Sequence, residues 1–230
     1  MIRIRRCLLL WLSVFFLVGP LAAETLVLKA SKDSFGRSNE RNRNNGKSET
    51  LLVAHAPNIR TIIAFDLSGA TNRIVGATLR LHRHNTMPEP IGLVAAPMVN
   101  GPRNSAWKEG TGALGTKGRN ALPGEACYGW SAFPEVQWET ASGDPVRDLG
   151  DARLWQAPIA SRKFQWQEGE WIDIEIKDVR ALEAMRASGD PTITFGLWGT
   201  SGNGIYAIGS RESGKSPELV LVLDGKNGTQ

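Results

Sequence analysis

Cysteine is nearly missing from this chain of 230 residues, which holds only Cys7 and Cys127. That rules out a framework of several disulfides, so the fold must rest on a core of its own. Histidine is almost as scarce, with three residues, which leaves little material for imidazole-based chemistry or a nitrogen-rich metal centre. No apolar run reaches the roughly 20 residues that a membrane span needs. There is no serine elbow, phosphate-binding glycine loop or EF-hand spacing.

The start of the chain reads as a secretory leader. Arg3, Arg5 and Arg6 form a basic head, residues 7–18 are apolar but for Ser13, Gly19 and Pro20 break the run, and Ala22-Ala23 suits cleavage before Glu24. The expectation is a signal peptide over residues 1–23 and a single domain over 24–230, delivered outside the cytoplasm, either secreted or periplasmic. Loss of the leader removes three arginines and no acid. The 27 basic and 23 acidic residues of the whole chain then stand at 24 against 23. A nearly neutral protein offers no electrostatic footprint for nucleic acid. Cys7 leaves with the leader, so Cys127 has no internal partner.

What the sequence has in quantity is short alternating apolar segments. They recur at residues 25–30, 51–53, 61–65, 77–82, 91–95, 171–176, 192–198, 205–208 and 218–223. Ala77, Leu79 and Leu81 alternate with Thr78, Arg80 and His82, which predicts one buried face and one wet face. His55-Ala56-Pro57-Asn58 reads as a hairpin turn joining the second and third segments. Residues 31–49 are so rich in Asn, Arg, Ser and Gly that they read as a polar loop. One helix is predicted after Asp178, with Val179, Leu182 and Met185 on one side and Gly189 and Pro191 ending it. Many short strands with one small helix predict an all-β, antiparallel sandwich. From about residue 100 to 154 no periodicity is sustained, and a long irregular excursion of this kind is uncommon inside a domain. It carries Trp107, Trp130 and Trp138, which predicts an ordered excursion packed around its indoles.

Several segments together resemble the DNRLRE (disaggregatase-related) domain. They are Asp33 with the Asn-rich loop to Gly46, Leu51-Leu52-Val53, residues 60–68 around Ile62-Ile63-Ala64-Phe65, Ala77-Thr78-Leu79-Arg80-Leu81, and Trp107-Lys108-Glu109-Gly110 with Trp130 and Gly143-Asp144. Asp173-Ile174-Glu175-Ile176-Lys177-Asp178-Val179, Ser210-Arg211-Glu212 and Pro217-Glu218-Leu219-Val220-Leu221 follow. The resemblance covers nearly all of the chain after the leader. It implies a jelly-roll β-sandwich found in secreted bacterial and archaeal proteins, and carbohydrate binding as a module beside a catalytic domain. No such domain accompanies it in this sequence.

Candidate sites follow from side-chain chemistry. Trp107, Trp130 and Trp138 offer indole faces for the C–H surfaces of sugars. Arg80, His82 and His84, two apart along a strand, offer a row of donors to a glycan or its acidic groups. With His55 or Glu89 the two histidines also have the makings of a metal site, although Arg80 on the same side opposes a cation. Asp33, Glu40 and Glu49 are the acids near the Asn-rich loop, and the resemblance points to calcium held by Asp33. Ser210-Arg211-Glu212 reads more simply as an ion pair locking a turn than as catalytic machinery. The function expected is non-catalytic polysaccharide binding. A structural or adhesive envelope protein is one alternative, and a polysaccharide lyase or hydrolase is the other.

Overall fold

The period-two segments become the strands of two facing sheets in the computed structural model, which describes residues 23–55, 58–113 and 118–225. The leader lies outside the described residues. In chain order the elements are β1 (Glu24–Lys29), β2 (Lys32–Arg37), β3 (Arg43–Asn44), β4 (Thr50–Ala54), β5 (Ile59–Asp66), β6 (Ile74–His82), β7 (Ile91–Pro97), α1 (Pro102–Ser105) and β8 (Arg119–Asn120). After these come β9 (Ala160–Phe164), β10 (Trp171–Glu175), α2 (Arg180–Arg186), β11 (Thr192–Ser201), β12 (Ile205–Gly209) and β13 (Glu218–Leu223).

One sheet has the order β1-β13-β6-β10 and the other β2-β5-β11-β7-β9, with every pairing antiparallel. Without β2, each sheet holds four strands, and along the chain the strands of these two sheets alternate except at β7 and β9, which are neighbours in one sheet, in the manner of a jelly roll. The interior is filled by the inward residues of both sheets, such as Leu79, Leu81, Ile174, Leu219 and Leu221 against Ile63, Phe65, Leu93, Phe195 and Leu197. Each such side chain contributes about 1.5–3 kcal/mol on burial.

The two sheets differ on their outer faces. In the four-stranded sheet, β6 and β13 alternate between buried and half-buried residues. In the five-stranded sheet, β7 is buried throughout and β5 is buried except for its last residue, Asp66. The reason is the excursion. Trp107, Tyr128, Trp138, Val146, Leu149 and Leu154 pack on Ile62, Ala64 and Met98 and form a second core on that sheet's outer surface. Among the described residues between β7 and β9 the regular structure is confined to α1, the two-residue β8 and a single 3₁₀ turn at Ala152–Leu154.

Three local expectations are corrected. Residues 31–49 are not only loop, because Lys32–Arg37 pairs with β5 as an edge strand. Its polar Asp33 and Ser34 are buried, since side-chain and backbone partners satisfy a polarity that composition alone assigns to water. The strands flanking residues 55–58 do not form a hairpin ladder. β4 pairs with β12 in a separate two-stranded sheet, and its link to β5 is the Thr61 hydroxyl donating to Leu52 O at 2.6 Å. Ala56 and Pro57 themselves lie outside the described residues. His84 falls beyond the end of β6 and is exposed, so it does not share that strand with Arg80 and His82. The helix forms where expected: α2 buries Leu182 and Met185, and the Asp178 carboxylate accepts from Arg180 N–H at 3.0 Å.

Candidate functional site

The Asn-rich segment is shaped from beneath by two buried carboxamides. Asn44 Nδ2 donates to Glu109 O at 2.6 Å and to Ala126 O at 2.8 Å, while its Oδ1 accepts from Gly112 N at 2.8 Å. Asn45 Nδ2 donates to Phe35 O at 2.9 Å. The loop is thereby stitched to β2 and to the excursion, and residues 38–43 are left at the surface. There they line a polar cleft of about 490 Å³ with Asn39, Glu40, Arg41, Asn42, Arg43 and Asn120 in its wall.

The wall is held in place by charge-assisted bonds. Arg41 donates to Asp148 Oδ2 at 3.0 Å and to Arg147 O at 2.6 Å. Arg43 donates to Gly118 O at 3.0 Å. Trp130 stands beside the wall, half-buried and edge-on to Phe133, and its Nε1 donates to Asn42 Oδ1 at 3.3 Å. The side-chain amides of Asn39 and Asn120 make no hydrogen bond among the described residues, so they keep both donor and acceptor capacity.

A second polar centre joins segments far apart in sequence. The Glu109 carboxylate accepts from Asp33 N–H at 2.8 Å, from Lys47 Nζ at 3.1 Å, and from Arg211 Nη1 at 2.9 and 2.8 Å. Lys47 also donates to Glu212 Oε1 at 2.8 Å, and Asp33 Oδ2 accepts from Arg211 N–H at 2.8 Å. Gly46 makes this approach feasible, because a Cβ there would lie 2.0 Å from Glu109 O. Asp33 is wholly buried. Burial, aided by the charges of Glu109 and Glu212 and opposed by the Arg211 N–H, pushes its carboxyl up to about 8. The pair within Ser210-Arg211-Glu212 does not close on itself, since each charged residue reaches across to the excursion or the Asn-rich loop.

The other expected positions divide. Trp107 and Trp138 are 1% and 0% exposed, so neither indole presents a face to a ligand in this conformation. Their Nε1 groups donate to Thr194 Oγ1 and Cys127 O. Arg80 and His82 meet at a residue that sequence reasoning had not singled out, Trp171. Arg80 lies over that ring at 5.1 Å, and His82 meets it edge-on at 5.2 Å. Arg80 is further engaged by Asp173 at 3.1 Å and Glu218 at 3.0 Å, so its Nε and Nη1 are turned to the sheet's own carboxylates. Burial draws the His82 imidazole below its ordinary value, reinforced by nearby Lys215 and His84. Glu109 and Lys47 were also missed. Lys47 carries no pattern of its own, and Glu109 entered only through the family resemblance. Cys127 is buried, which pushes its thiol up to about 11 and leaves it inert at neutral pH.

No family model matches the chain, and no curated protein is significantly similar to it.

Proposed function

We propose that this chain is a secreted, non-catalytic glycan-binding protein, and that the Asn/Arg cleft beside Trp130 holds the sugar. The observation that carries this reading is the cleft itself, whose wall holds the amides of Asn39 and Asn120 and whose Asn42 accepts from the half-exposed Trp130 indole. Sugar hydroxyls donate and accept at once, which a carboxamide matches with both of its polar atoms. The apolar C–H face of a pyranose suits an aromatic ring. The resemblance to a carbohydrate-binding sandwich supports the same class of ligand. The cleft wall carries a single carboxylate, Glu40, whereas glycoside hydrolysis calls for a facing pair. In this reading Trp107 and Trp138 serve the scaffold and Trp130 serves the ligand.

The test is binding of the purified chain to an array of neutral and acidic polysaccharides. Saturable binding without cleavage is expected, and Trp130→Ala should weaken it about tenfold, or about 1.4 kcal/mol, while the chain stays folded. Full affinity in Trp130→Ala would move the site elsewhere. Release of new chain ends would instead favour a lyase or hydrolase, and no binding to any glycan would favour a structural envelope role.

A further inference from the structure

The Asp33 centre goes beyond the cleft and does not depend on it. One carboxylate oxygen each from Asp33, Glu109 and Glu212 lies within 4.8 Å of the others. Oxygens on opposite sides of a calcium ion are about 5 Å apart, given bonds of 2.3–2.6 Å. Three carboxylates at this separation are therefore spaced as ligands of one cation.

The second observation concerns two oxygens of these same carboxylates. Asp33 Oδ1, on a wholly buried side chain, and Glu212 Oε2 are both shut off from water and have no hydrogen-bond donor among the described residues. A buried carboxylate oxygen without a donor is costly, and the usual remedies are an ion or an ordered water. The charged side chains at the centre turn their bonds to other oxygens. Arg211 serves Glu109 with its guanidinium and Asp33 Oδ2 with its N–H, and Lys47 serves Glu109 and Glu212 Oε1.

Charge decides which cation fits. Three ionised carboxylates and Arg211 leave a deficit of two positive charges. Lys47 supplies one of them, and a proton on Asp33 removes the need for the other. A divalent ion supplies both at once. Lys47 is the cation better placed to leave, because its side chain is 41% exposed against 34% for Arg211, and it is a compact single ammonium on a flexible stem. We propose that Asp33, Glu109 and Glu212 form a binding site for one hard divalent cation of the calcium class, which displaces the Lys47 ammonium. All-oxygen, carboxylate-rich ligation selects calcium over softer metals. The site ties β2, the excursion and the turn before β13 to one ion, so binding also clamps the second core onto the sandwich.

The experiment titrates the full chain with calcium chloride after chelator treatment, with no glycan present, by calorimetry and by thermal melting. One ion per chain is expected, at a dissociation constant of about 0.1–1 mM, with a rise in melting temperature. Asp33→Asn keeps the side-chain shape and an acceptor for the Arg211 N–H, and should abolish binding while remaining folded. Lys47→Met removes the competing ammonium and should tighten binding several-fold, an effect that a purely structural role for Lys47 does not produce. No saturable heat in either the natural chain or Lys47→Met would overturn the site and leave an ordered water as partner of the two oxygens. Unchanged binding in Asp33→Asn, or unchanged or weaker binding in Lys47→Met, would overturn it as well. Since glycan is absent throughout, failure here is distinct from failure of the cleft.

Discussion

The five-stranded sheet has a hydrophobic layer on each side, and the two are built by different rules. The layer inside the sandwich is largely aliphatic and lies between ladders that already satisfy the backbone. The layer outside it is an irregular chain around Trp107, Tyr128 and Trp138. With only the two-residue β8 in a ladder, that chain pairs its peptide groups in turns and isolated bridges and buries polar side chains to satisfy others. Asn104 Nδ2 donates to Val99 O and Glu139 O, and its Oδ1 accepts from Glu139 N–H. Glu125 accepts from Thr111 N–H and Leu122 N–H, and Glu139 accepts from Arg103 N–H. The contrast shows that a layer with almost no ladder can be as dry as a sandwich interior, provided that turns, bridges and buried asparagines and glutamates together replace the missing strand partners.

The strongest test of this difference compares two large truncations. Phe195→Ala, inside the sandwich, and Trp138→Ala, in the outer layer, should each cost about 3–5 kcal/mol. The consequences should differ in extent. Loss of Phe195 lowers protection of amide hydrogens throughout both sheets. Loss of Trp138 should expose residues 100–154 and the loop at 38–48 to exchange while β6, β11 and β13 keep their protection. Equal loss across both sheets in Trp138→Ala would show that the two layers unfold as one unit.

Much of this contrast can be read from the residues, and the unread part has a physical cause. Ala77-Thr78-Leu79-Arg80-Leu81 and Trp171-Ile172-Asp173-Ile174 show a period of two because one side of their sheet is wet. Ile62-Ile63-Ala64-Phe65 lacks that period because the excursion covers its other side, so its unbroken apolar run was itself a sign of the second layer. β2 was hidden because Asp33 and Ser34 look solvated until Glu109 and Arg211, far away in the chain, are brought to them. The same holds for the site. The aromatic and Asn-rich content of 38–43 and 130 is visible locally, but the meeting of Asp33, Lys47, Glu109 and Glu212 depends on long-range topology that no spacing records. Trp107 and Trp138 look like Trp130 in sequence, and only packing separates scaffold rings from an accessible one.

The junction between the layers sharpens the comparison through pH. Asp33 belongs to the sandwich and its neighbour Glu109 to the excursion. The folded-state value of Asp33, about 8, lies above its ordinary 3.8. Between about pH 4 and pH 8 the folded chain therefore holds a proton that the unfolded chain has released. This group's contribution to stability is full below that window and falls as pH rises through it, by at most about 1.4 kcal/mol per pH unit. Chemical denaturation of the natural chain across that range, with chelator present to exclude cations, should show the decline, and Asp33→Asn should flatten it. A slope that persists in Asp33→Asn would assign the effect to another group.

The smallest effect is expected on the wet face of the four-stranded sheet, where neither layer rule applies. Arg80 bridges β10 and β13 by pairing with Asp173 and Glu218 and covers Trp171. Its side chain is 34% exposed and that of Asp173 is 58% exposed, so water and salt screen the attraction. Arg80→Met keeps most of the aliphatic stem over the indole while removing the charge. The loss should be under about 1 kcal/mol and should shrink further in 1 M salt. A loss comparable to that of Trp138→Ala would mean that the cross-strand ion pairs hold this sheet together, and that its outer face, left uncovered by the excursion, has a polar substitute for a second core.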